Sequence, residues 1–519
     1  MVNERACGQH GKTKSAFVWD GLRRYPFPAC WRHEVFTIAT LSLRFDANVP
    51  ACVQSRISYA LRVFAAIYAH TVTSSESDAA IQFFYGQPPS GPKDSRSFHI
   101  PSLYQSRLQD PGRTVFTKHR FSGEDFYLSC GMDATTGRPD WLGEIFLWLS
   151  SGYEEEIRVR DRVGRIPFSE TVFSRQGLSP RKPHASLLMS WMEHAIRHGP
   201  GTETLPKAPC PVTGCEHLVL CSHDIDFYFV NWLSTAIRLV KNCGIAILVY
   251  HSASFFKDNV KMCSRLMAGG RVGNYLAPMV EAAGHGNFRS TFFVVPRRNH
   301  RRDPNYRLEQ ISPDLCDAAS QGISVGIHGS YRSIIEDRSL AAETADLSKA
   351  MGSKPLGGRQ HWLRFSRHQD LFAQVRAAGL LADSTLGFPD MVGFRNGASF
   401  PFPPYDFARE QAHDFLEIPL VVMDGSLEAA SRQLHIAPQR LADEVLSASR
   451  KLGWGGISIL WHNPLEALSV PAEINRVFWR LANQQQEVGE KWVDLKEFLS
   501  ATVPCFQRCG LMTGARSEG

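Results

Sequence analysis

The chain has 519 residues, of which 43% are hydrophobic and 21% are charged, and its formal net charge is +6. This length predicts two or three domains with sizeable cores, and so mild a charge does not indicate a nucleic-acid-binding module. No apolar run reaches the length of a membrane span, and the first 31 residues lack the apolar stretch of a secretory signal, so we expect a cytoplasmic protein.

The first two hundred residues mix strand and helix patterns. Residues 1–32 are expected to be poorly ordered. Regular patterns are a strand at 35–45 and helices at 57–69 and 141–149, where apolar residues recur at three- and four-residue spacing. We predict a mixed α+β domain over residues 33–198, followed by a linker at 199–214 that contains proline and glycine.

Beyond the linker, short apolar segments alternate with amphipathic ones. The strand candidates are His217–Ser222, Ser290–Val295, Ile323–His328, Phe415–Val422 and Ile457–Trp461. Helical patterns lie between them at Leu340–Met351, Gln369–Ala378 and Pro438–Lys451. This alternation predicts a parallel sheet covered by helices, either a barrel or a doubly wound sheet. We assign this domain to residues 215–505 and leave 506–519 as a tail.

Two aspartates follow the first strand of this domain, in the sequence Asp224-Ile225-Asp226. Alternate residues of a strand face the same side, so the two carboxylates should project together while Ile225 faces the core. Two carboxylates this close repel each other unless a cation or a proton lies between them. The segment therefore predicts a functional site in preference to a solvated acidic turn.

Histidines end two further strands, at His328 and His462. In parallel α/β sheets, ligands bind at the carboxyl ends of the strands. The aspartates and both imidazoles are therefore expected at one face of the sheet. Taken alone, His328 could be a core histidine and His462 could cap its strand.

The order of these motifs resembles the polysaccharide deacetylase (NodB-homology) superfamily, whose catalytic domain is a distorted (β/α) barrel. The resemblance implies that Asp224 is the general base and that Asp226 and His328 are metal ligands. Arg332 stands where the family has its second histidine, and a guanidinium is no metal ligand. His361 could supply the missing imidazole, either as a ligand or as a hydrogen-bond donor to one.

Other motifs extend the resemblance over residues 55 to 500. Arg359 matches the arginine that orients the base, and His462 matches the general acid. Asp383, Arg395 and Trp461 lie in or beside segments that match the family's substrate side, although Arg395 could equally be a structural pairing residue. A divergent branch with an additional N-terminal region is indicated by Tyr153-Glu154-Glu155 and Asp161-Arg162-Val163-Gly164-Arg165.

The resemblance implies a metal-dependent hydrolase that removes an N-acyl group, with acetyl as the first expectation, from a sugar or polysaccharide. It implies a divalent metal, with zinc as the first expectation. Two alternatives stay open: a carbohydrate-binding protein on a deacetylase scaffold that has lost catalysis, and a metal-free amidase of the same superfamily.

Overall fold

The computed structural model of the protein describes residues 39–87, 97–105, 115–155, 157–197, 205–334 and 339–513. The predicted N-terminal segment 1–32 and the first part of the predicted linker, 199–204, lie outside these residues.

The first part of the described chain contains a small parallel sheet, a hairpin and four helices. Its strands are β1 (Thr40–Phe45), β2 (Thr71–Val72), β3 (Ile81–Tyr85), β4 (Ser97–Ile100), β5 (Thr117–Phe121) and β6 (Glu124–Leu128). Its helices are α1 (Ala51–Ile67), α2 (Trp141–Leu149), α3 (Val172–Gln176) and α4 (His184–Arg197). Strands β1 to β4 pair in the order β2-β1-β3-β4, all parallel, and β5 pairs antiparallel with β6.

The second part contains a nine-stranded sheet with helices between its strands. Its strands are β7 (His217–Asp224), β8 (Thr291–Val294), β9 (Ser324–Gly329), β10 (Gly357–Gln360), β11 (Ala382–Asp383), β14 (Leu416–Glu417), β15 (Leu420–Met423), β16 (Gly455–Leu460) and β17 (Glu490–Val493). A separate two-stranded ladder is formed by β12 (Tyr405–Asp406) and β13 (Gln411–Ala412).

The connecting helices are mostly amphipathic, with one side buried. They are α5 (Trp232–Leu248), α6 (Ala253–Met267), α7 (Leu276–His285), α8 (Leu308–Ser320), α9 (Ser339–Met351), α10 (His368–Ala377), α11 (Asp424–Leu434), α12 (Pro438–Arg450), α13 (Ala472–Gln484) and α14 (Leu495–Arg508). The predicted strands and helices of this part therefore occur within one to three residues of the expected bounds, except that the strand predicted at 415–422 is interrupted.

The two residues that interrupt this strand connect the two edges of the sheet. All nine strands are parallel, in the order β14-β11-β10-β9-β8-β7-β16-β15, with β17 also pairing with β7. Strands β14 and β15 end this order, yet only Ile418 and Pro419 separate them along the chain. The two sheet edges are thus joined by three peptide units, at most about 11 Å. The sheet must therefore curl round on itself, which confirms a parallel α/β architecture consistent with a (β/α) barrel.

The two parts of the chain share one continuous hydrophobic core. Across their boundary, the Tyr59 hydroxyl donates to the Pro403 carbonyl at 2.7 Å, and Arg56 pairs with Glu410 at 2.6 Å. Ala208, in the predicted linker, forms a parallel bridge with Gly453. Helix α14 continues to Arg508, past the predicted boundary at 505. The division into separate domains stays a prediction.

No helix in the part of the chain that the structure describes is both long and apolar enough to cross a membrane.

Candidate metal centre and active site

The two aspartates of the first barrel strand face one histidine. All eight residues of β7 are buried, and Ile225 beyond it is fully buried. The Nε2 atom of His328 lies 3.6 Å from Oδ2 of Asp224 and 3.4 Å from Oδ1 of Asp226. The two carboxylates project to the same side, as expected, although Asp226 lies just beyond β7, where its backbone N–H donates to the Asp224 carbonyl at 3.1 Å.

One ring nitrogen of His328 is hydrogen-bonded to the backbone, and the other faces the two carboxylates. Its Nδ1 lies 2.9 Å from the carbonyl oxygen of Arg359, which can only accept. A proton on Nδ1 makes this bond, so in the neutral tautomer Nε2 is the ring nitrogen that presents a lone pair to Asp224 and Asp226. Two carboxylates and an imidazole nitrogen are therefore close together, and a positive charge between them would stabilise this arrangement.

His361 completes the cluster from the neighbouring strand end. It begins a short 3-10 turn directly after β10, in which Trp362 and Leu363 have φ of +66° and +51°. This sharp turn places Nε2 of His361 3.5 Å from Oδ2 of Asp226. Arg332, which stands where the sequence resemblance would place a second histidine, is exposed and does not belong to the cluster.

The geometry of Asp226, His328 and His361 fits a divalent cation. One ligand atom from each residue lies within 4.8 Å of the others. Ligands at about 2.0–2.2 Å from a tetrahedral metal lie about 3.4 Å apart. Nε2 of His328 lies 3.4 Å from Oδ1 of Asp226, and Nε2 of His361 lies 3.5 Å from the other oxygen, Oδ2. In the described part of the chain, Oδ1 of Asp226 is buried without a hydrogen-bond partner. A bound cation would satisfy this oxygen.

The electrostatics of the cluster also favour a positive charge. Burial opposes ionisation of Asp226, but the charge of His361 and hydrogen bonds with the imidazoles hold the pKa of Asp226 well below its usual value. Burial likewise opposes protonation of His361, but Asp226 and Asp303 raise its pKa to about 9. A proton or a cation can supply the charge that these groups stabilise.

Arg359 anchors Asp224 from beneath. Its side chain is fully buried, and its Nη1 donates to Oδ1 of Asp224 at 2.7 Å. The remaining donors are used by Ser222, Ser384 and Ser458 at 2.9–3.1 Å. The guanidinium is therefore fixed, and its charge-assisted bond to Oδ1 holds the carboxylate of Asp224 with Oδ2 toward His328.

His462 forms a pair with Asp424 at the open side of the cluster. Its Nδ1 lies 2.7 Å from Oδ1 of Asp424, its backbone N–H donates to Oδ2 at 3.0 Å, and its Nε2 lies 3.4 Å from Oδ2 of Asp226. Burial lowers the pKa of His462, but Asp424 and Asp226 outweigh it and raise that pKa well above its usual value. The His462 side chain is 19% exposed, so its ring can reach a bound substrate.

The three residues predicted to contact substrate lie elsewhere. Asp383 is fully buried, with Oδ2 accepting from the Thr385 N–H at 2.9 Å. Trp461 is fully buried and donates to a carbonyl of α13. Arg395 is buried and makes a bidentate pair with Glu154 at 2.8–3.1 Å. This placement favours the structural alternative for Arg395, and none of the three side chains opens on the cluster.

Two carboxylates near the site were missed by sequence reasoning. Asp424 follows β15 directly, so the rule that polar residues at strand ends form the site could have found it. Asp303 lies in the loop after β8, where its Oδ1 is 3.6 Å from Nδ1 of His361. Backbone N–H groups of Asn299, His300 and Tyr331 donate to it at 2.7–2.8 Å. No periodic pattern marks that loop.

The chain matches no protein-family model and no curated protein. Three solved structures resemble it at low identity. They are a mutant of the peptidoglycan deacetylase PdaC from Bacillus subtilis (12% identity, TM-score 0.28, 56% of this chain and 95% of that one), Puue allantoinase (11%, 0.33, 59% and 97%) and the catalytic domain of a peptidoglycan N-acetylglucosamine deacetylase from Eubacterium rectale ATCC 33656 (10%, 0.28, 54% and 89%). At these TM-scores the likeness carries no functional assignment, which has to come from the site.

Proposed function

We propose that the protein is a metal-dependent hydrolase of the polysaccharide deacetylase type, which removes an N-acyl group from an amino sugar or polysaccharide. Acetyl is the first candidate for that group. The observation that supports this most is the cluster of Asp226, His328 and His361 beside an arginine-anchored carboxylate, Asp224. The substrate class comes from the sequence resemblance.

Asp226, His328 and His361 would hold the cation, with zinc as the first candidate for a site of two imidazoles and one carboxylate. Such a cation, when bound, polarises an acyl oxygen and lowers the pKa of a water molecule. Asp303 would orient His361 through its second ring nitrogen, as partners of metal-binding histidines commonly do.

Asp224 would act as the general base. Arg359 donates to Oδ1 and fixes the orientation of the carboxylate. Oδ2 lies on the side of the cluster, 3.6 Å from Nε2 of His328, where it can take a proton from an attacking water.

His462 would act as the general acid. Asp424 accepts from Nδ1 and stabilises the imidazolium form, so Nε2 carries a proton that can be given to the leaving amine. The raised pKa of His462 keeps that proton in place at neutral pH.

The first experiment measures the divalent metal content of the purified chain and of Asp226→Ala, with the exposed Asp370→Ala as the matched control. We expect one metal per chain in the parent and control, and loss in Asp226→Ala. His361→Ala should weaken binding, and Asp224→Asn should retain the metal while abolishing acetate release from N-acetylated sugars.

Each result can contradict a part of the proposal. Absence of metal in the parent after incubation with zinc or cobalt would overturn metal dependence and leave the metal-free amidase or the binding protein. Unchanged occupancy in His361→Ala would remove His361 from the ligands. Loss of metal in Asp224→Asn would show that the two aspartates exchange roles.

A further inference from the structure

The connection between β7 and β8 contains two long helices, α5 and α6, which stand apart from the main core. Their inner sides meet over a small hydrophobic cluster of their own. It includes Leu239 and Ala246 of α5 and Phe255, Met262 and Leu266 of α6, all buried. The two helices therefore form a hairpin, here called the α5–α6 hairpin. The apolar residues of its inner face are already buried.

The outer face of the α5–α6 hairpin is apolar and exposed. Fifteen large hydrophobic residues are exposed in the described part of the chain, and ten of them lie between residues 232 and 267. On α5, Leu233, Ile237 and Val240 are 61–69% exposed, and Leu248 is 77% exposed. Their spacing of four and three residues places them on one side of the helix. Phe256, Val260 and Met267 continue the exposed surface along α6.

The α5–α6 hairpin and the loop that follows it carry most of the net charge of the protein. Residues 232–275 contain six arginines and lysines and a single acidic residue, a net +5, while the entire chain is +6. Lys241, Lys257 and Lys261 are exposed and directly follow the exposed residues Val240, Phe256 and Val260 in sequence. Apolar and cationic side chains thus alternate on one surface.

The exposed apolar residues and the positive charge together indicate which kind of partner binds the outer face. A second copy of the chain would bring two surfaces of net +5 together, which charge repulsion disfavours. An anionic lipid bilayer offers phosphate groups for the lysines and acyl chains for the apolar side chains. We propose that the α5–α6 hairpin is a docking surface for an anionic membrane, on which the two helices lie flat.

Docking of this kind would present the active site to the membrane surface. Helix α5 begins six residues after Asp226. On the other side, Arg265 of α6 pairs with Glu466 at 3.0 Å, and the Gly273 N–H donates to Glu466 at 2.8 Å. Glu466 lies in the loop that follows His462. If the proposed hydrolysis is correct, on which this step rests, the substrate is an acylated sugar held at a membrane surface.

The test is co-sedimentation of the full-length chain with vesicles of phosphatidylcholine alone and of phosphatidylcholine with phosphatidylglycerol. We expect binding to the anionic vesicles that weakens with salt. The Lys241→Glu/Lys257→Glu/Lys261→Glu variant should lose at least about fivefold in partition coefficient for each lysine replaced. Ile237→Ser/Val240→Ser should lose about tenfold or more, because the apolar contact is removed. Val488→Ser and Lys451→Glu, exposed elsewhere on the protein, are the matched controls and should bind like the parent.

Three outcomes overturn the proposal. They are no sedimentation with anionic vesicles at low salt, equal loss in the control variants, or a concentration-dependent dimer in light scattering that Ile237→Ser/Val240→Ser dissolves while vesicles stay unbound. The last would assign the face to a second copy. Sedimentation needs no enzymatic activity, so its failure leaves the proposed hydrolysis untouched, and an inactive enzyme leaves the docking result intact.

Discussion

Asp424→Asn tests whether the carboxylate beside His462 controls the protonation of that ring. Oδ1 of Asp424 accepts from the His462 ring and from the Gly425 N–H at 2.6–2.7 Å, and Oδ2 accepts from the His462 backbone N–H at 3.0 Å. An asparagine has only one oxygen. Placed at Oδ1 it satisfies two donors, but its amide then faces the backbone N–H of His462, and the negative charge is gone in either orientation.

The size of the expected change in the pKa of His462 follows from the hydrogen bond to Asp424 that is weakened. A bond to a charged group contributes about 1.5–3 kcal/mol, and 1.36 kcal/mol corresponds to one pKa unit, so the pKa of His462 should fall by about one to two. Above the new pKa, the fraction of imidazolium falls about tenfold for each unit, and a rate that needs this acid should fall about tenfold to hundredfold. One unpaired backbone N–H costs about 1–3 kcal/mol, which a typical stability of about 5–15 kcal/mol tolerates.

The assay is an NMR titration of the ring protons of His462 in metal-free protein labelled at histidine, with the resonance assigned by its loss in His462→Gln. Glu428→Gln, one turn along the same helix, is the matched control and should leave the pKa unchanged. The alkaline limb of acetate release against pH should move to lower pH in Asp424→Asn, because the acid loses its proton earlier. A pKa of His462 that is equal in Asp424→Asn and the parent would refute the reasoning.

Two further predictions concern stability. Glu154→Gln leaves the buried guanidinium of Arg395 without its charge partner, and should lower the free energy of unfolding in urea by about 3–5 kcal/mol. A loss of less than about 1 kcal/mol is expected for Glu170→Gln, because Glu170 is partly exposed and pairs with the exposed Arg175. Equal small losses would contradict the pairing of Glu154 with Arg395. Burial lowers the pKa of His184 to about 4, so between the ordinary value of about 6.5 and 4 the unfolded chain binds a proton that the folded chain does not. The free energy of unfolding should therefore fall with decreasing pH through this window. His184→Phe should reduce the slope of that free energy against pH by about 1.4 kcal/mol per pH unit. Urea unfolding of the parent and the variant at pH 6.5, 5.5 and 4.5 measures this slope, and equal slopes would contradict the prediction.

The parts of the site that sequence predicts are those fixed by strand geometry. Asp224, Asp226, His328 and His462 end buried strands, and parallel pairing brings the ends of such strands to one edge whatever lies between them. The strand and helix bounds were predictable for the same reason, since apolar periodicity reports burial on one or two faces. Strand β10 was not recognised as a strand, because Gly357 and Gly358 give it no apolar pattern.

The parts that sequence does not predict depend on contacts between distant segments. For Arg395, a substrate contact and a structural pairing were equally open, and it pairs with Glu154, 241 residues earlier. Nothing local to either residue indicates that pairing. Asp383 and Trp461 lie beside motif residues along the chain, yet strand alternation turns neighbours to opposite faces, and both side chains are buried. Adjacency in sequence is therefore a weak guide to which residues reach a substrate.

The position of His361 shows how the candidate metal site can gain a third donor although the motif position holds Arg332. Strands β9 and β10 pair in parallel, with Arg359 opposite His328 in register. A residue two positions beyond Arg359 is thus at the same edge as His328, one strand further round the sheet. The positive φ of Trp362 then turns the chain there, with His361 facing Asp226. A cation needs a donor at a point in space, and in a parallel sheet two neighbouring strand ends can supply it, so Arg332 at the motif position is compatible with a complete set of three ligands.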